Sequence, residues 1–254
     1  MLVCPELIQG KGKFGCPSGG KVYETVKVSV LIAAYNGGTY IKEQLSSVIS
    51  QLGVDDEVII SDDKPDGDTY AAVEPFLSDS RIRYIHGPAK GVDANKEFLL
   101  RECTGDVAFL CDQDDVWLDG KVERVLSEIE GGACCVLHNA YITDENLVKS
   151  GKTLFEDRGA KTGVLHNIIK NCYTGACMAL TRQAFTAALP FPDSLPMHDQ
   201  WLGLVSEKVG KVVLIDKPLL LYRRNPGSMT GGKTSLAQKV KWRVNIVKSI
   251  CAFR

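Results

Sequence analysis

The chain has 254 residues, 44% hydrophobic and 24% charged, with a formal net charge of −1. That is ordinary globular composition, enough for one sizeable core, and it excludes a disordered or fibrous chain. No apolar run approaches the roughly 20 residues of a membrane span, and no basic excess of the whole chain suggests a nucleic-acid partner.

The opening residues do not read as a signal peptide, because Pro5 and Glu6 break a short apolar stretch. Residues 1–26, with five Gly between Gly10 and Gly20, read as a flexible lead-in. The nine cysteines show no CxxC pair or zinc spacing, and Cys111, Cys134, Cys135 and Cys177 sit inside apolar runs. A reduced, cytoplasmic protein is expected, with a Cys4–Cys16 pair left open.

Strands and helices then alternate. Val26 to Ala34 reads as a buried strand, Thr39 to Gln51 as a helix, and Glu57 to Ser61 as a second strand ending in Asp62-Asp63. Thr69 to Leu77 reads as a helix, Arg81 to Ile85 as a strand, and Val92 to Cys103 as a helix. Asp106 to Cys111 is the fourth strand, Asp119 to Ile129 a helix, and Cys134 to Ile142 a fifth strand. Such alternation across short loops predicts an α/β fold with a mostly parallel sheet covered on both faces.

The second half is less regular. Leu154 to Lys170 reads as a polar loop with one short helical stretch, and Lys149 to Gly163 as a specificity loop. Gly175 to Thr181 and Val212 to Tyr222 read as strands, and Asp199 to Val209 as a helix.

Ligands of open α/β sheets bind at the carboxyl ends of strands. Three polar clusters fall there: Tyr35-Asn36, Asp62-Asp63, and Asp112-Gln113-Asp114-Asp115. Three carboxylates in four residues repel unless a cation or hydrogen-bond donors intervene. A hard divalent cation completed by substrate phosphate is one reading, and an acidic turn capping the next helix is the other.

Taken in order, these segments resemble the family 2 glycosyltransferases of GT-A fold, over roughly Lys27 to Thr230. Val28 to Asn36 is similar to the family's opening strand and turn, and Val58 to Asp63 to its second strand. Asp112 to Trp117 is similar to its DxD segment in the form of bacterial rhamnosyltransferase-like and O-antigen enzymes. Met197-His198-Asp199-Gln200-Trp201 lies where the family carries its catalytic acidic pair. Two departures stand out. His198 takes the place of a frequent Glu, and Gly91-Val92-Asp93-Ala94-Asn95-Lys96 lacks an Arg that the family often has.

The resemblance implies a nucleotide-sugar donor, a glycan or glycolipid acceptor, and Mg²⁺ or Mn²⁺. It implies donor contacts from Ala33, Tyr35, Asn36, Asp62, Asn95, Asp112 and Gln113, a metal ligand in Asp114, and a catalytic base in Asp199. Asp115, Trp117, His198 and Arg224 would support them. Asp63 is assigned to the turn, and Asp199 as a helix N-cap stays open. Trp117 is equally a core residue, and His138 reads as a structural histidine. Nucleotidyltransferase and non-catalytic nucleotide-sugar-binding functions are the alternatives.

All 31 acidic side chains precede residue 217, whereas residues 217–254 carry nine Lys or Arg. Arg223 and Arg224 either clamp a diphosphate or belong to this solvated basic tail, the preferred reading. Residues 231–254 read as a basic amphipathic helix with Leu236, Val240, Val244, Val247 and Cys251 on one stripe and Trp242, Ile246 and Phe253 off it. It suits peripheral contact with the inner face of a membrane, packing on its own domain, or a coiled-coil seam.

Overall fold

The computed structural model describes residues 26–193, 195–224 and 235–253. Most of the lead-in, Cys4 and Cys16, the Asn225 to Ser228 loop and the side chain of Leu236 lie outside the described residues.

The first half runs β1 (Val28–Ala34), α1 (Ile41–Ile49), β2 (Glu57–Asp62), α2 (Thr69–Val73), β3 (Ile82–His86), α3 (Val92–Glu102) and β4 (Val107–Asp112). These four strands are mutually parallel, in spatial order β3-β2-β1-β4. β1 lies at the centre because it is apolar on both sides. Val28, Val30, Ile32 and Ala34 enter one core, and Leu31 enters the other. Side chains that alternate along a strand make this possible, so the strand reads as one unbroken apolar run.

The second half comprises β5 (Val116–Trp117), α4 (Lys121–Glu130), β6 (Ala133–Thr143), β7 (Lys149–Thr153), α5 (Leu154–Arg158), α6 (Val164–Ile169), β8 (Met178–Thr181), α7 (Arg182–Ala187), α8 (His198–Val209), β9 (Lys211–Arg223) and α9 (Leu236–Ala252). It extends the sheet through antiparallel β8 and then β6, β9 and β5, with β7 beside β6. The product is the expected α/β sheet covered on both faces.

Several expectations for this half are corrected. Lys149 to Gly163 is not one loop: it holds β7 and α5. Thr153 and Glu156 form a capping box at the start of α5, a signature legible in the sequence but not used. Leu154 to Lys170 contains two helices, not one. Gly175 to Cys177 is a 3-10 turn, so only Met178–Thr181 is extended. β5 and α7 were not anticipated, being too short for periodicity to register. β6 and β9 shift register near Asn139 and Pro218, where proline has no N–H to give the ladder.

α9 packs on the domain through Ile246 and Ile250, both buried in the second core. Phe253 meets Trp201 edge-on, with ring centroids 6.1 Å apart. Val240, Val244 and Val247 remain exposed. The helix therefore has two apolar faces, and only one is covered among the described residues.

Gly203 of α8 faces Tyr173, whose hydroxyl donates to Glu207 Oε1 at 2.5 Å. A Cβ at position 203 would come within 2.1 Å of the Tyr173 ring. Ala is the better helix former by about 1 kcal/mol, but forced overpacking costs typically about 1–3 kcal/mol or more. Gly203→Ala is therefore expected to lower stability, read as a lower urea midpoint with unchanged slope.

Candidate functional site

The site lies where the strand order turns at β1, on the carboxyl edges of β1, β2 and β4. Ala33 is paired across the sheet with Asp112. Beyond it, Gln113 clamps the Tyr35 turn: Tyr35 N–H donates to Gln113 Oε1 (2.8 Å), and Gln113 Nε2 donates to the Tyr35 carbonyl (3.1 Å). Asn36 takes φ 49° within that turn, a conformation asparagine tolerates better than most residues. Tyr35 is left exposed at the rim.

Asp112 lies above a buried lysine. Lys96 Nζ is 3.0 Å from Asp112 Oδ1 and donates to the Cys111 carbonyl at 2.5 Å. Burial opposes ionisation of Asp112, but the charge and hydrogen bond of Lys96, aided by His198 and Lys121, outweigh it and hold its carboxyl below the usual range. The Asp112 side chain is 41% exposed, so solvent damps that pull. Asp115 behaves oppositely. It is buried, and burial followed by Asp114 and Asp112 pushes its carboxyl well up. Adjacent carboxylates thus have different proton affinities because only one has an ammonium at contact distance.

Asp115 is no helix cap: α4 begins at Lys121 behind Gly120. Its Oδ1 instead accepts from Arg223 N–H at 2.9 Å, while Oδ2 is buried without a partner. Arg223 corrects the tail reading. It is buried, Nε donates to the Asp114 carbonyl at 2.7 Å, and NH2 donates to Glu43 Oε2 at 2.7 Å. It also bonds the Glu145 carbonyl and covers the Tyr40 ring at 4.4 Å. Composition hid this residue, since a cation at the start of a basic stretch looks solvated. Arg224 points outward and pairs with Asp157 at 2.6 Å.

Trp117 belongs to the core, 5.5 Å from Phe109 and with Lys121 Nζ 4.0 Å over its ring. Its indole Nε1 has no partner. His138 is buried, and burial with Lys121 nearby holds it neutral. Asp62 is fully buried: Oδ2 accepts from Tyr84 OH at 2.7 Å and Oδ1 from Lys64 N–H at 2.9 Å. Asp63 does more than shape its own turn, because its oxygens accept from Ala89 and Gly91 N–H (3.0 and 3.1 Å) and fix the approach to α3. Asn95 Nδ2 donates to the Ser61 carbonyl at 3.0 Å, and its Oδ1 is buried and unpartnered.

Asp199 occupies the first turn of α8, where Met197 is the N-cap. Its Oδ1 accepts from Asn171 Nδ2 (3.2 Å) and Gln200 N–H (2.6 Å). Burial pushes its carboxyl above the ordinary value, against the pull of His198, Arg158 and these donors. His198 is anchored twice to Asp93 Oδ1, through its backbone N–H (3.0 Å) and ring Nδ1 (2.7 Å). Helix α3 thus links two segments far apart in sequence: Lys96 contacts Asp112, and Asp93 contacts His198, the neighbour of Asp199. Nothing in the sequence gives Asp93 this role; it lies in the 91–96 segment.

Against known proteins, the Glycosyl transferase family 2 model matches residues 29–188. A dTDP-rhamnosyl transferase of Shigella flexneri is 25% identical over 236 residues, covering 86% of this chain and 79% of that protein. A UDP-Glc:alpha-D-GlcNAc-diphosphoundecaprenol beta-1,3-glucosyltransferase of Escherichia coli is 25% identical over 210 residues, covering 81% and 80%. Among solved structures, S. aureus TarS with UDP-GlcNAc aligns with a TM-score of 0.65 at 19% identity, over 88% of this chain and 65% of that one. A Pyrobaculum calidifontis mannosyltransferase with GDP-Man and Mn²⁺ aligns with a TM-score of 0.59 at 13% identity, over 96% and 74%. The structural likeness gives the GT-A fold.

Arg223→Met strips donors from the Asp114 carbonyl and Glu43 while keeping bulk. Hydrogen bonds to charged groups contribute about 1.5–3 kcal/mol each, and Glu43 is partly solvated. A loss of about 2–3 kcal/mol is expected, read by thermal or urea unfolding.

Proposed function

The chain belongs to glycosyltransferase family 2, and from that premise we propose an inverting, divalent-cation-dependent enzyme. It moves a sugar from a UDP- or dTDP-sugar to a hydroxyl of a lipid-linked surface glycan. The observation that carries this reading is α3, whose Lys96 holds Asp112 and whose Asp93 holds His198 beside Asp199, so that one helix ties the acidic turn to the distal carboxylate. The names of the relatives, with their dTDP-rhamnosyl, UDP-Glc and diphosphoundecaprenol terms, support the donor and acceptor classes.

Donor binding falls to the β1 edge. Tyr35 stacks beside the base, and Ala33, Asn36, Gln113 and Asn95 line the nucleotide. The orphaned Asn95 Oδ1 suits a ligand N–H or O–H. Asp62 reaches the base only where the Tyr84 hydroxyl or the Lys64 turn gives way, since both of its oxygens are engaged. Asp112 takes the ribose.

Among the described residues no group of three or more His, Cys, Asp or Glu could hold a metal ion by itself. The partly exposed carboxylates of Asp112 and Asp114 are oxygen donors of the kind that suit Mg²⁺ or Mn²⁺, and Asp114 would hold such an ion together with substrate phosphate. When bound, such a cation neutralises charge growing on the departing diphosphate.

Asp199 takes the proton of the acceptor hydroxyl. The acceptor oxygen bonds to the anomeric carbon as the bond to the diphosphate breaks, and that electron pair leaves on the phosphate oxygen. One displacement inverts the anomeric centre. Asp93 fixes the His198 ring beside the reacting groups, and Asp115 with Arg223 holds the acidic turn.

No described helix is long and apolar enough to cross a membrane. The enzyme works at the cytoplasmic face of the membrane, and α9, with four cations and no carboxylate, faces anionic lipid through Val240, Val244 and Val247.

Asp199→Asn is expected to slow transfer roughly 10²- to 10⁴-fold without loss of fold, and Asp114→Asn to abolish cation dependence together with turnover. Both are read by nucleoside diphosphate release with matched circular dichroism. Full activity in either variant sinks the assignment.

The base must be ionised, and its pKa is raised. The acid limb of kcat/KM therefore lies above the ordinary aspartate value. Asn171→Ala removes a donor that favours the carboxylate, so the limb moves to higher pH. A limb that stays put, or moves down, removes Asp199 from the titrating role.

A further inference from the structure

Two helices of the second half meet on a surface that the donor chemistry leaves unused. α6 and α9 pack together, and Arg243 donates from Nε (3.2 Å) and NH2 (2.8 Å) to the Ile169 carbonyl. A cation at that position also complements the carboxyl end of α6. Between the helices runs a groove of about 100 Å³, lined by Ile168, Ile169, Asn171, Met197, Gln200, Lys239, Trp242 and Arg243.

Three properties of this groove bear on what enters it. First, it borders the candidate base: Asn171 and Gln200 line it, and both donate to Asp199 Oδ1, at 3.2 and 2.6 Å. Second, its charged lining is purely cationic, from Lys239 and Arg243, and neither α6 nor α9 contains an acidic residue. Third, its outer lip is apolar. Ile169 lines it and is exposed, and Leu165, Val240 and Val244 are exposed elsewhere on the two helices that form the walls, one helical turn or one residue from lining positions. About 100 Å³ is well above the roughly 10–15 Å³ that one water needs on the same measure, room for a phosphate-sized group.

We propose that the groove between α6 and α9 binds the phosphate of a lipid-linked acceptor, with Lys239 and Arg243 as its counter-charges. The hydrocarbon of that acceptor lies along the apolar lip. This deepens the transferase reading and rests on it for the acceptor's role. A phosphate held there puts the first sugar of the acceptor on the Asn171 side, where Asp199 collects a proton. Guanidinium and ammonium groups suit phosphate because charge-assisted hydrogen bonds are about twice as strong as neutral ones. The exposed valines lose water on contact with a hydrocarbon chain, so head and tail are recognised by adjoining surfaces.

The test is calorimetric titration of the full chain with farnesyl diphosphate, below its micellar concentration. UDP and Mg²⁺ are present in excess so that the donor site is already filled. Inorganic pyrophosphate and farnesol are titrated separately. Farnesyl diphosphate is expected to bind at least about tenfold tighter than either fragment, because the site reads both ends of the molecule. The double variant Lys239→Gln/Arg243→Gln is expected to weaken it at least about tenfold, while Lys241→Gln/Lys248→Gln on the same helix changes it less than about threefold.

Equal weakening by both double variants reduces the effect to the charge of the helix and overturns the groove. Undiminished binding in the first variant, or none in the unaltered chain, overturns it as well. Nucleotide-sugar turnover by the unaltered chain is measured in parallel. A chain that shows the binding pattern and hydrolyses no donor sinks the transferase reading while the phosphate groove stands; turnover without the pattern does the reverse.

Discussion

The acidic turn between β4 and β5 depends on one buried arginine. Three nearly adjacent carboxylates would push the turn apart, and Arg223 prevents it from below. Its guanidinium holds the Asp114 carbonyl and Glu43, and its backbone N–H holds Asp115. One residue thereby joins the end of the longest strand to the first helix and to the turn. Lys96 does the complementary work for Asp112 from the opposite core. The turn is preorganised by buried cations, which suits the proposed task of receiving more negative charge.

Much of this was legible in the sequence because the first half obeys local rules. β1, β2 and β4 are apolar runs closed by polar residues, and parallel strands buried on both faces must read that way. The polar clusters at their ends therefore pointed to one edge. The second half was harder for identifiable reasons. β7 is exposed along most of its length and has no apolar alternation to read. α5 announces itself only through Thr153 and Glu156. Arg223 could not be told from the basic stretch that follows, since its partners Glu43, Asp114 and Glu145 are remote in sequence. The link from Asp93 to His198 spans more than a hundred positions, and nothing at residue 93 signals it. Elements are local and were readable; the partners of polar side chains are not.

The C-terminal helix illustrates a different limit. Its stripe of valines was visible, and so were the aromatic and isoleucine residues that did not fit the stripe. Ile246 and Phe253 fit a second stripe that docks on α8. A helical wheel gives directions but not what lies in each direction, so an element with two apolar faces looks merely irregular.

Alternation along β1 has a consequence for how the molecule answers to change. Leu31 and Ile32 are neighbours in the chain yet enter separate interiors. Shaving Leu31 loosens the core that α3 and α8 share, the helices that bring Asp93 and His198 together. Shaving Ile32 loosens the core that holds α1, which carries Glu43 to Arg223. Odd and even positions of a single strand thus act as separate addresses, one for each wall of the cleft.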